Sequence, residues 1–145
     1  MYELFIKITL SLLLILSQYN EKHELVKAIM SHPDSMFVLI KNSNFKFSYG
    51  IQKKLDTIND KYNSFKYLIR DIKKDFIGKN LKYYERLGWR DVNNTNDPGY
   101  GNTTLPLHWI VVSCECDYNI EFWWLYVNKS WILYNISIYT IYDSH

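Results

Sequence analysis

The stretch that most constrains the fold is the last third of the chain, residues 105–142, which reads as three consecutive strands. From residue 107 to 117 the even positions are His108, Ile110, Val112, Cys114 and Cys116, while the odd ones turn polar after Trp109 and Val111. Side chains alternate across a strand, so one face is expected to be apolar throughout and the other to reach water at its far end. Asp117, Tyr118 and Asn119 supply turn chemistry. Residues 120–127 follow with Phe122, Trp123, Trp124, Leu125 and Tyr126, apolar on both faces. That pattern predicts a central strand covered on both sides, or lining a pocket on one. Asn128, Lys129 and Ser130 turn the chain into residues 131–142, where Ile132, Tyr134, Ile136 and Ile138 are expected on one face and Asn135 and Ser137 on the other.

A chain of 145 residues is one domain with room for a sizeable core. Its beginning carries an apolar run over residues 4–16, broken only by Lys7, Thr9 and Ser11. The densest part, residues 10–16, is short for a bilayer span and matches the apolar region of an export signal with Lys7 as its basic flank. Cleavage after Ser17 would divide the chain into a signal or membrane anchor, 1–17, and a domain, 18–145. Glu3 argues against a signal, and the competing expectation is a first helix buried against the sheet.

Residues 21–30 suit a helix, Pro33 suits the first position of the next one, and residues 35–40 fit that helix or a buried strand, the helix being favoured. Residues 45–49 alternate like a short strand. Ile51, Leu55, Ile58, Tyr62, Phe65, Ile69, Ile72 and Phe76 then repeat at intervals of four and three, predicting one helix over residues 51–77 that stops at Gly78. Such a stripe serves either as a coiled-coil seam, which would make a dimer, or as a cover for the sheet; Tyr and Phe are poor seam residues, which favours the cover. Lysines on the other faces alternate with Asp56, Asp60, Asp71 and Asp75, as on a solvated surface. A net charge of +2 gives no electrostatic footprint for nucleic acid. Residues 82–89 fit a short helix or a strand, and residues 93–104 are a loop by composition.

No spacing in the chain demands a cofactor or a metal. On a regular strand the β-carbons of Cys114 and Cys116 lie roughly 6–7 Å apart, beyond the approximately 3.5–4.5 Å that a disulfide needs. They are therefore expected to be small buried hydrophobes, and with His108 alone they do not complete a zinc ligand set. Six residues separate His108 from Cys114, about 20 Å of strand, which excludes a nucleophilic dyad. His108 with Asp91 or Asp97 would make a general base if the loop folded over the sheet.

The order of helices, a short strand over 45–49, the 51–77 helix and a meander ending in FWWLYVNKSWILYNI resembles the NTF2-like (cystatin-like) α+β superfamily. That resemblance implies N-terminal helices packed on a curved antiparallel sheet, forming a cone with a pocket. Its enzymes carry an Asp, His or Tyr set inside the cone, and no such set is placed here residue by residue. The candidate pocket is Trp109, Trp123, Trp124, His108 and Asp91. Three functions follow as expectations: a non-catalytic binding or accessory domain, exported or tethered through residues 4–16; an intracellular partner-binding protein of the immunity type; or a small-molecule enzyme. The partner would be a protein or a small ligand.

Overall fold

The computed structural model describes residues 2–141, and for residues 10–17 the backbone alone. The apolar core of the N-terminal run, the end of the last strand at Tyr142, and His145 therefore lie outside what is described. The fold is α+β, with all helices preceding the long strands. A single helix, α1 (Tyr2–Ser31), opens the chain. Leu25, Val26, Ile29 and Met30, at helical spacing, bury its C-terminal half. Pro33 starts a 3-10 turn (Pro33–Ser35) that runs into α2 (Met36–Lys41), and Met36, Phe37 and Ile40 point into the core.

After the two-residue strand β1 (Lys46–Phe47), the predicted 51–77 helix is two helices, α3 (Tyr49–Asp56) and α4 (Ser64–Asp75). The break falls among Asn59, Asp60 and Asn63, side chains that compete for backbone hydrogen bonds. Asn63 is buried and caps α4 by accepting from the Phe65 N–H, while its amide donates to the Lys54 carbonyl and to Thr57. Such a cap stabilises by about 1 kcal/mol. The apolar repeat runs through the break because both helices cover the same core: Ile51, Leu55, Phe65 and Ile72 are buried, whereas Tyr62 in the turn is 77% exposed. Gly78, with φ of 80°, ends this region as expected.

The sheet has the order β1-β5-β4-β3-β2. Strand β2 (Lys82–Val92) resolves the open choice at residues 82–89, and β3 (Thr103–Ser113), β4 (Tyr118–Val127) and β5 (Ser130–Thr140) form the meander. These four are antiparallel, but β1 pairs with β5 in parallel, so the sheet is mixed rather than antiparallel throughout. Helices cover one face. Ile110, Val112, Ile120, Phe122, Trp124, Leu133 and Ile136 meet them there, each large side chain stabilising by about 1.5–3 kcal/mol. The opposite face holds a smaller cluster of Val92, Leu107, Leu125 and Ile132 with Trp109 and Trp123 packed on it.

Two expectations about side chains need correction. A bulge between β4 and β5 sets Trp123 opposite Asn135 but Trp124 opposite Leu133, leaving Tyr134 as the extra residue. Ile136 and Ile138 therefore join Leu133 on the helix side, while Ile132 and Tyr134 pack on the other. Cys114 and Cys116 are joined in a disulfide. Strand β3 stops at Ser113, and Glu115 takes a φ of 57°, which folds the chain until the two Cα atoms are 5.2 Å apart.

Candidate functional site

The bulge and the loop of residues 93–102 build a cavity of about 440 Å³ on the sheet face away from the helices. Its floor is aromatic. Trp123 stacks on Tyr134 and on Tyr139, with ring centroids 6.3 and 6.5 Å apart, and Trp109 leans on Trp123 from β3. The loop forms a wall through Asn96, Asp97, Pro98 and Tyr100, and the start of α3 supplies Ser48, Tyr49 and Gly50.

Asp97 pins that wall. It is 4% exposed, accepts a hydrogen bond from the Tyr134 hydroxyl, and pairs with Arg90 Nε at 3.2 Å. The Arg90 guanidinium lies over the Tyr134 ring, 4.9 Å from its centroid. Burial, together with the bond to Asp97, pushes the Tyr134 hydroxyl up to about 12, so it remains a donor. Asn93 supports the same loop, its side chain accepting from the N–H groups of Thr95 and Asn96. Ser48 ties β1 to the bulge by donating to the Tyr134 carbonyl at 2.7 Å while it caps α3. Arg90 and Asp97 neutralise each other. The hydroxyls of Tyr49, Tyr100 and Tyr139 make no hydrogen bond among the described residues, which leaves the cavity polar and uncharged at its rim.

A second polar cluster lies on the helix side, where Lys22 and His108 are each 3% exposed. Lys22 Nζ donates to His108 Nδ1 at 2.9 Å and sits 3.5 Å from the centroid of the Trp131 ring. An ammonium has no acceptor, so with Lys22 protonated the neutral imidazole carries its proton on Nε2. That nitrogen faces Glu85 Oε1 at 3.7 Å. Glu85 is also held by His23 and by the Tyr19 hydroxyl. Burial opposes the charge on Glu85, but these bonds hold its carboxyl below the usual range. Burial brings Lys22 down to about 7. Burial, followed by repulsion from Lys22, brings His108 down to about 4. The arrangement is an internal brace from α1 through β3 to β2.

The sequence-derived pocket residues fall into three places. Trp123 lines the cavity and Trp109 packs beside it. Trp124 and His108 are buried on the opposite face. Asp91 pairs with Thr104, four residues along β3 from His108 and hence about 13 Å away, and its carboxylate accepts from the Thr104 hydroxyl. The polar partner of His108 is Lys22, which sequence spacing gives no means of finding across 86 residues. Tyr134, Tyr139 and Arg90 were missed for a related reason: the bulge that aims Tyr134 outward has no composition signal. Among the described residues no cluster of His, Cys, Asp and Glu is arranged to hold a metal, and no helix is long and apolar enough to cross a membrane. Compared with family models, curated proteins and solved structures, the chain matches none.

Proposed function

We propose that this chain is a non-catalytic binding domain that takes a neutral, hydroxylated ring compound, such as a short glycan, into the cavity over Trp123. The observation that carries this reading is the joining of a stacked Trp123–Tyr134–Tyr139 floor to an uncharged polar rim in a space of about 440 Å³. Apolar faces of such a ligand would lie on the rings while its hydroxyls met Asn96 and the tyrosine hydroxyls. The catalytic reading of the NTF2-like resemblance is the weaker one, because the polar pair it calls for, His108 with Asp91, is not brought together and neither residue lines this cavity. Titration with chitotriose, cellotriose and maltotriose, followed by the indole N–H signal of Trp123, tests the proposal. At least one sugar is expected to shift that signal saturably, with the effect lost in Trp123→Ala. No response to any of the three would sink it.

Placement at a membrane rests on a separate observation. Tyr2, Leu4, Phe5, Ile6 and Ile8 are between 51% and 85% exposed and form one broad apolar face of α1, with Glu3 and Lys7 on the remaining side. An exposed apolar helix face of this breadth needs something to cover it, and a lipid surface does so without shape matching while leaving the charged side in water. The Cys114–Cys116 disulfide also suits a domain outside a reducing compartment. The full chain is expected to float with phosphatidylcholine vesicles in a density gradient, and Phe5→Lys combined with Ile8→Lys should leave most of it at the bottom. Wild-type protein that stays at the bottom would exclude the tether.

A further inference from the structure

The two edges of the sheet differ in kind. Strand β1 covers only two residues, whereas β2 is an eleven-residue edge paired with β3 without a register shift. In an antiparallel pair alternate residues turn their N–H and C=O groups away from the partner, so β2 presents half its backbone groups outward. Edges of this length are ordinarily blunted by bulges, prolines or charges. Strand β2 has no bulge or proline, and its protection rests on Lys82, Glu85, Arg86, Arg90 and Asp91, which act only in registers that oppose like charges. It also carries the most exposed large apolar side chains of the sheet, Leu87 at 80% and Trp89 at 71%.

We propose that β2 pairs antiparallel with β2 of a second copy of this chain, across a two-fold axis at Leu87, giving one continuous ten-stranded sheet. The axis stands normal to the sheet, which keeps the helices of both copies on the same side. Only registers that pair residues of the same face are then open, and charge and paired length decide among them, since an axis at Trp89 opposes no like charges but pairs only residues 86–92. An axis at Arg86 sets Arg86 against its own copy and Lys82 against Arg90. An axis at Gly88 sets Glu85 against Asp91 and Arg86 against Arg90, and one at Glu85 opposes two glutamates. Like charges directly opposite are destabilising.

The axis at Leu87 uses all eleven residues and opposes no like charges. It places Tyr84 opposite the second copy's Arg90, and Glu85 opposite the second copy's Trp89. Leu87 faces its own copy with Trp89 on the diagonal, so four exposed apolar side chains would be covered around the axis. This inference is independent of the cavity on the other face and of the lipid contact of α1.

Cross-linking at single introduced cysteines tests the register. The native cysteines are already paired. The experiment uses the full chain in dodecyl maltoside, so that detergent covers residues 2–9. At the proposed axis the two Leu87 Cα atoms lie about 4.5–5.5 Å apart, inside the disulfide range of about 4.4–6.8 Å. Leu87→Cys is expected to give a covalent dimer on mild oxidation. Tyr84→Cys, whose copy lies about 20 Å away along the strand, should stay at background. Sedimentation of the unmodified chain should show twice the 17.5 kDa of one copy, and Leu87→Lys should weaken association by about tenfold or more with an unchanged circular dichroism spectrum. A monomeric chain, equal cross-linking at both positions, or a dimer that cross-links at neither would overturn the proposal.

Discussion

The protein should become more resistant to urea as the pH rises from about 7 to about 9.5, and Lys22→Met should remove most of that rise. Lys22 has a folded pKa of about 7 against an ordinary 10.5, the cause being burial between α1 and the sheet. Between those two values the unfolded chain binds a proton that the folded chain does not, so stability increases with pH throughout that window. The penalty is fully developed below pH 7 and absent above 10.5. Over the proposed interval it amounts to on the order of 2–4 kcal/mol. His108, brought down to about 4, adds a slope of the same sign at lower pH, between there and its ordinary 6.5. Lys54, also lowered by burial, leaves a small residual rise in the variant. Lys22→Met should exceed the wild type at pH 7, because a methionine of similar length fills the site without a charge to desolvate. Equal urea midpoints for the wild type at both pH values would refute this, as would an undiminished slope in the variant.

Asp97→Ala should lower stability by about 2–3 kcal/mol and abolish the sugar binding proposed for the cavity. The carboxylate is nearly fully buried and is the shared acceptor of the Tyr134 hydroxyl and the Arg90 guanidinium. Removing it leaves both donors unanswered and releases the wall of residues 96–100 from the floor. Asp97→Asn keeps one acceptor oxygen and should retain the wall with a smaller loss. Thermal unfolding of the two variants, together with the Trp123 indole titration, separates these effects. An Asp97→Ala protein that unfolds and binds like the wild type would show that the loop holds itself without this link.

The architecture was legible where local chemistry and tertiary demand agree. The alternation in β3 and the turns at residues 117–119 and 128–130 define the meander, and Pro33 and Gly78 mark real boundaries. Periodicity misled over residues 51–77, since it reports which side chains face the core and not whether the backbone between them stays helical. Asn59, Asp60 and Asn63 held the contrary signal. Regular strand geometry excludes a bond between Cys114 and Cys116, and the disulfide forms because β3 ends at Ser113. For the sites, Trp123 was recognisable as an aromatic on a strand covered on both faces. Arg90, Asp97 and Tyr134 come from three segments that meet only after the loop folds back, so no spacing could link them. The Lys22–His108 contact crosses most of the chain and is equally silent.

The extra residue at Tyr134 also bears on how this surface can change over generations. Upstream of it, β5 directs Leu133 inward and Ile132 outward; downstream, Ile136 is inward and Asn135 outward. Deleting that one codon would restore strict alternation with Leu133 and Ile136 still inward and Asn135 still outward, so β5 would keep its core face and its register on β4 and lose only the bulge. Point substitutions can retune the floor of the cavity one ring at a time. A gap at Tyr134 would instead remove the middle ring of the floor and its link to Asp97 in one step while sparing the core, so the cavity can be lost from descendants of this chain without loss of the fold.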